Sequence, residues 1–281
     1  MVRLINCIGS GNMGSALMKA AAAAGGGARI GVGDTDRPKA IALASEIGGY
    51  ALENNVEAVS TARFVLLAVK PQVLPELLGE LRPILASLAA RGELPVLVSI
   101  VAGVSIAAMR AVLAGLDAVP IIRLMPNTPA LVAKGIIALS AGPEVREEDI
   151  RELGQLLSAA GMVDRVEEKY MNAVTALSGS GPAYAYMFIE ALADGGVLAG
   201  LPRDKALRYA ARTVLGSAAM VEETGTHPGA LKDAVCSPAG TTMAGVSALE
   251  ARAFRGTVIA AVEAGFKRAV ELGKPAGVQE K

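Results

Sequence analysis

The chain has 281 residues, more than one hydrophobic core usually fills, so two domains are expected. Its 27 Lys and Arg balance 27 Asp and Glu, and aromatics make up 3% with no tryptophan, which excludes the basic field and the stacking platform that nucleic acid requires. The uncharged apolar run 94–109 is too short and too rich in Gly, Ser and Pro to span a bilayer, so no membrane partner is expected. Met1 runs almost directly into an expected strand, so no cleavable leader is expected. Cys7 lies in an apolar run and Cys236 near the C-terminus; both read as reduced thiols, and a cytoplasmic protein is expected.

Short runs rich in β-branched residues, at 4–8, 29–32, 64–69, 96–100, 121–125 and 135–139, alternate with helix-length segments. Runs apolar on both faces fit a parallel sheet covered on both sides. At the end of the first run stands Gly9-Ser10-Gly11-Asn12-Met13-Gly14, opening an Ala-rich helix near Asn12. In that setting Gly9 permits the tight turn, Gly11 lets backbone amides approach a pyrophosphate, and Gly14 lets the helix pack on the strand. The second run ends at Gly33-Asp34, about 20 residues past Gly14, where an acid would accept hydrogen bonds from the adenosine ribose. Thr35, Arg37 and Lys39 follow at once and equally suit a 2′-phosphate or a solvated helix start, so both NADH and NADPH are admitted. The domain expected over 1–164 is a Rossmann-like, doubly wound α/β sheet.

After about Asp164 strands are no longer expected, and Ala-rich segments follow, punctuated at Leu201-Pro202, His227-Pro228 and Ser237-Pro238-Ala239-Gly240. Residues 165–281 therefore read as an all-α dimerisation domain. Small residues such as Ala183, Ala191, Gly195, Ala210 and Gly216 would let helix axes approach closely, which suits an intertwined homodimer. His227, before Pro228, reads as a residue that starts a helix. With no second histidine and no cysteine cluster, no metal site is expected.

Four motifs remain: Ala68-Val69-Lys70-Pro71-Gln72; Arg123-Leu124-Met125-Pro126-Asn127-Thr128-Pro129; Ala176-Leu177-Ser178-Gly179-Ser180-Gly181-Pro182-Ala183-Tyr184; and Leu231-Lys232-Asp233-Ala234-Val235-Cys236-Ser237-Pro238-Ala239-Gly240-Thr241-Thr242. Together with the Gly9–Gly14 loop, and in this order along nearly the whole chain, they closely resemble pyrroline-5-carboxylate reductase. The resemblance implies reduction of the cyclic imine 1-pyrroline-5-carboxylate to proline by hydride from NADPH or NADH, the last step of proline biosynthesis. It places Ala68, Val69, Lys70 and Pro71 along the cofactor, Asn55 on its adenosine side, and Thr175 and Pro182 near the substrate ring. It also admits a ring of dimers.

The Ser237–Thr242 segment joins two expected helices, and a helix start offers a carboxylate unpaired amides and the positive end of the macrodipole. Ser237 and the amides of Gly240, Thr241 and Thr242 are the candidates. The simpler reading makes Thr241 or Thr242 an ordinary N-cap. Ala239 stands where the family carries glycine, and a positive φ there would shift the loop. By resemblance the Thr242 hydroxyl faces the imine nitrogen. A hydroxyl is too weak an acid to protonate it outright, so Thr242 is expected to orient an iminium protonated from solvent.

A β-hydroxyacid dehydrogenase shares this architecture but needs a lysine where Ala185 stands and an asparagine where Ile189 stands. Another NAD(P)H-dependent imine reductase, or a non-catalytic dinucleotide-binding regulator, stays open at this level.

Overall fold

Strand β1 (Arg3–Ile8) starts an eight-stranded sheet of order β3-β2-β1-β4-β5-β6-β7-β8 in the computed structural model, which describes residues 3–26 and 29–273. The remaining strands are β2 (Ile30–Gly33), β3 (Tyr50–Ala51), β4 (Ala62–Leu67), β5 (Val96–Ser99), β6 (Ile121–Pro126), β7 (Gly135–Ala141) and β8 (Gly161–Arg165). Between them run α1 (Asn12–Ala21), α2 (Arg37–Ile47), α3 (Asn55–Ser60), α4 (Leu74–Arg91), α5 (Ile106–Val112) and α6 (Glu147–Leu157).

Alternation along single strands builds one core on each side of the sheet. In β4, Phe64 and Leu66 join Ile5, Cys7 and Val32 against Leu17 and Met18 of α1. Val65 and Leu67 face the other way and pack with Leu77, Leu81 and Leu85 of α4. Burial on both faces explains why these strands read as continuous apolar runs.

The doubly wound sheet is parallel at every pairing but one, since β7 pairs antiparallel to β6. Only residues 127–134 connect the two, mostly as a 3₁₀ turn over Thr128–Val132, and a parallel crossover needs a dozen residues or more. β8 then returns parallel to β7 through α6. Two strands had no counterpart in the expected set: β3 is two residues long, and β8 is an edge strand with Met162 half exposed.

Contacts divide the chain into two compact units, Met1–Gly179 with Gly265–Lys281, and Ser180–Ala264. The first unit thus runs past the boundary expected between 164 and 165. Polar and close contacts draw residues 166–179, including α7 (Met171–Val174), onto the sheet. Glu168 accepts from the Ile106 amide (2.7 Å) and lies 3.4 Å from buried Arg123. Asn127 donates to the Ser178 carbonyl at 3.2 Å, and a side chain at Gly179 would overlap Met125.

The second unit contains α8 (Gly181–Leu198), α9 (Arg203–Thr224), α10 (Pro228–Val235), α11 (Thr241–Glu250) and the start of α12 (Phe254–Leu272). Its buried cluster is Ala193, Ala206 and Ala210, with Ile189 and Val197 against them. So small a core leaves large apolar side chains exposed, among them Met187 and Ile259, and Leu198 is 92% exposed. Apolar exposure on this scale is what a subunit interface presents. Among the described residues no helix is long and apolar enough to cross a membrane.

Candidate active site

Each glycine of the first loop has a distinct steric duty. Gly9 has φ +104°, and a Cβ on it would overlap the Ala68 carbonyl, 2.8 Å from its carbon. A Cβ on Gly14 would overlap the Gly9 oxygen and crowd the Ala68 methyl (3.0 Å) and Cys7 Sγ (3.4 Å). A Cβ on Gly11 would meet nothing within 4 Å, so space lies open above it. Gly11 is the N-cap of α1 and no side chain caps the helix. Among the described residues no acceptor meets the amides of Gly11, Asn12 and Met13, which leaves an anion-binding helix start. The loop thus fits a dinucleotide pyrophosphate.

Beneath the loop, the Cys7 thiol donates to the Gly9 carbonyl at 3.0 Å. Burial, with the Asp34 charge adding to it, pushes this thiol far above its ordinary value, so it stays protonated and serves as a donor, not a nucleophile. Ala68 continues β4 by donating to the Ile8 carbonyl at 2.9 Å, and Val69, Lys70 and Pro71 follow at the carboxyl end of the sheet, where open α/β sheets bind ligands.

Asp34 is engaged by the protein itself. Its Oδ2 accepts from the Ser10 amide (2.6 Å) and the Ser10 hydroxyl (2.8 Å), and Oδ1 accepts from the Asp36 amide at 2.8 Å. Burial alone would raise this carboxyl, but these bonds and the Lys39 charge outweigh it and hold it below the ordinary range. No spacing rule in the sequence couples the loop's second residue to the end of β2, so the clamp on Ser10 emerges only from the fold.

Thr35 is exposed, its hydroxyl 3.5 Å from Asp34 Oδ1. Arg37 pairs with Glu53 at 2.9 Å and Lys39 with Asp36 at 3.0 Å, so both cations have surface partners. Asn54, rather than Asn55, caps α3, and the Asn55 amide donates to both Glu80 oxygens at 3.0 and 3.2 Å rather than to the glycine loop.

In the second unit, α10 begins at His227, whose Nδ1 accepts from the Gly229 amide at 3.0 Å, the role expected for it. After α10 the chain turns at Ser237, where the Gly240 amide donates to the Ser237 carbonyl at 3.0 Å. Ala239 holds φ +59°, so this alanine adopts the left-handed conformation within the closed turn. A Cβ at Gly240 would overlap Ser237 Oγ.

Gly240 is the N-cap of α11, which puts Thr241 and Thr242 at its first two positions; the ordinary N-cap reading of either threonine is therefore set aside. No side chain caps α11. Among the described residues no acceptor meets the amides of Thr241, Thr242 and Met243, and the Thr242 hydroxyl makes no hydrogen bond. Donors left free at a helix start suit a carboxylate. Elsewhere, Pro182 lies in the first turn of α8, and the Thr175 hydroxyl donates to the Met171 carbonyl at 2.7 Å within the first unit. The helix-start position of Pro182 and the Thr175 bond give each residue a local structural role.

Residues 168–272 match the family model described as pyrroline-5-carboxylate reductase dimerisation, and residues 4–103 the model described as NADP oxidoreductase, coenzyme F420-dependent. A pyrroline-5-carboxylate reductase of Pisum sativum is 43% identical and covers 94% of each chain. Among solved structures, one from Coxiella burnetii gives a TM-score of 0.89 at 32% identity, covering 98% of this chain and all of that one. A pyrroline carboxylate reductase of Plasmodium falciparum with NADP bound gives 0.84 at 30% identity, covering 97% and 98%.

Proposed function

The chain belongs to the pyrroline-5-carboxylate reductase family, and from that premise we propose how its own residues carry the reaction. It is an oxidoreductase that reduces the C=N bond of 1-pyrroline-5-carboxylate to give proline, using NADPH or NADH. When bound, the reduced nicotinamide supplies the hydride, and the protein's share is binding, orientation and electrostatics.

The amides of Gly11, Asn12 and Met13 hold the pyrophosphate, with Ala68 to Pro71 flanking the dinucleotide and Thr35 and Asn55 toward its adenosine end. The start of α11 holds the substrate carboxylate through Ser237 and the amides of Gly240, Thr241 and Thr242. Thr242 directs its hydroxyl to the ring nitrogen and orients an iminium already protonated by solvent. Hydride then adds to the iminium carbon, and the nitrogen keeps its proton as the product amine. Thr175 and Pro182 confine the ring. The carrying observation is the uncapped start of α11, whose amides and Thr242 hydroxyl have no partner in the described chain.

Residues 165–281 serve substrate binding and dimerisation as one functional part, as the family match over 168–272 supports, even though 166–179 pack with the sheet. The exposed apolar helices support assembly into dimers and a ring of dimers. The setting we propose is cytoplasmic, where the free thiols of Cys7 and Cys236 persist.

Comparing 1-pyrroline with 1-pyrroline-5-carboxylate as substrate tests the carboxylate assignment. The compound lacking the carboxylate should show a KM raised at least tenfold, and that penalty should shrink in Ser237→Ala. An equal KM for both compounds would refute the assignment.

A further inference from the structure

The acid at the end of β2 is placed where it would read a ribose, yet most of its hydrogen-bonding capacity is spent within the loop. Ser10 is 8% exposed and fixed on three sides: its amide and hydroxyl go to Asp34 Oδ2, and its carbonyl accepts from the Ser15 hydroxyl at 2.8 Å. Ser10 lies between Gly9, pinned on Ala68, and Gly11, whose amide heads the open helix start. A shift of Ser10 would therefore move the donors that meet the pyrophosphate. Oδ1 has the Asp36 amide as its one close donor, with Thr35 at 3.5 Å, and keeps room for another.

We propose that Asp34 is a positioning residue of the dinucleotide loop: Oδ2 clamps Ser10 so that the amides from Gly11 to Met13 are aimed at the pyrophosphate, while Oδ1 alone is left for the ribose. The two ends of the cofactor site are then coupled through one side chain. Removing the acid to admit a 2′-phosphate should loosen the pyrophosphate cradle at the same time, so Asp34 is not a simple selector between the two cofactors.

The inference rests on the Gly9–Gly14 loop holding the dinucleotide, and the test separates the two ideas. Dissociation constants for NADH and NADPH are measured by calorimetry on the full chain and on Asp34→Ala, Ser10→Ala and the double variant, with steady-state kinetics alongside. Asp34→Ala should weaken both cofactors about tenfold or more, in keeping with the loss of charge-assisted hydrogen bonds. Ser10→Ala should weaken both about threefold, and the double variant should be little worse than Asp34→Ala, since the two act through one contact. The KM of each cofactor should rise more than kcat falls, a split that a general loss of folding would not produce.

NADPH binding that is unchanged or tighter in Asp34→Ala, with weaker NADH, would overturn the clamp and leave a ribose reader. Unchanged binding of both cofactors in all three variants would overturn the clamp and leave the loop reading intact, whereas a native chain that binds neither cofactor would overturn the assignment of the loop itself. If Asp34→Ala fails to fold, Ser10→Ala decides: equal weakening of both cofactors supports the clamp, and no change refutes it.

Discussion

Gly9 and Ala68 approach so closely that any side chain on the first would overlap the carbonyl oxygen of the second. Both ends of that contact come from neighbouring parallel strands, since Ile8 of β1 pairs with Leu67 of β4. The glycine is thus required by sheet geometry as well as by its φ of +104°. Gly9→Ala should destabilise the chain by about 2–4 kcal/mol, combining a left-handed alanine with overpacking. Urea unfolding would show it as a lower midpoint at unchanged slope, and NADPH affinity should fall with it. A neutral result would mean the loop relaxes freely.

Ala239 supplies a gain rather than a loss. It holds φ +59°, a conformation that costs an alanine about 1–2 kcal/mol, partly offset in Ala239→Gly by the greater freedom of unfolded glycine. The net expectation is about 0.5–1 kcal/mol of added stability, read as a higher Tm, with the KM for the imine unchanged. A lower Tm would contradict the strain.

Glu168 ties the segment after β8 to the sheet by accepting from the Ile106 amide and pairing with Arg123, which is 4% exposed. Burial depresses the guanidinium's proton affinity, and the Glu168 charge offsets part of that. Glu168→Ala should cost about 2–3 kcal/mol, below the figure for a fully buried pair because Glu168 is itself partly exposed. Glu168→Gln retains an acceptor and should cost less than half as much in the same unfolding titration.

Asp149, with a side chain 2% exposed, accepts from Arg63 at 2.8 Å and from Arg146 at 2.8 and 3.0 Å. Burial alone would raise its carboxyl, but the hydrogen bonds and charges of Arg146 and Arg63 outweigh it, so the folded value lies below the unfolded one. The stabilisation is then fully present above the ordinary value near ~3.9 and is lost as pH falls through the lower folded value. The stability gap between the native chain and Asp149→Asn should be flat from neutrality down to about pH 4 and close below it. A gap that widened in acid would contradict the assignment.

The central strands and the glycine loop were legible because burial on both faces leaves an uninterrupted apolar run, and three glycines in register follow the first of them. β3 and β8 were not. Tyr50–Ala51 is too short to show a period, and Gly161–Arg165 is an edge strand with exposed Met162, Asp164 and Arg165. The reversal of β7 is written in the short link after Pro126 rather than in β7's own composition. Residues 166–179 read as part of the helical domain because single polar contacts, Glu168 to Ile106 and Asn127 to Ser178, hold them to the sheet. At the candidate site, the turn after Ser237 was expected, whereas the N-cap at Gly240 and the clamp of Asp34 on Ser10 depend on backbone angles and a contact across 24 residues.

The central claim is that the start of α11 orients the imine through Thr242. Its most direct test is steady-state oxidation of NAD(P)H by 1-pyrroline-5-carboxylate for the native chain and Thr242→Val, which removes the hydroxyl and keeps the shape. The account predicts imine-dependent oxidation by the native chain, and in the variant a kcat/KM for the imine lowered about 10²-fold or more with cofactor affinity within twofold, consistent with loss of an oriented contact. A variant with native kcat/KM, or a native chain that binds NAD(P)H without oxidising it, would contradict the account.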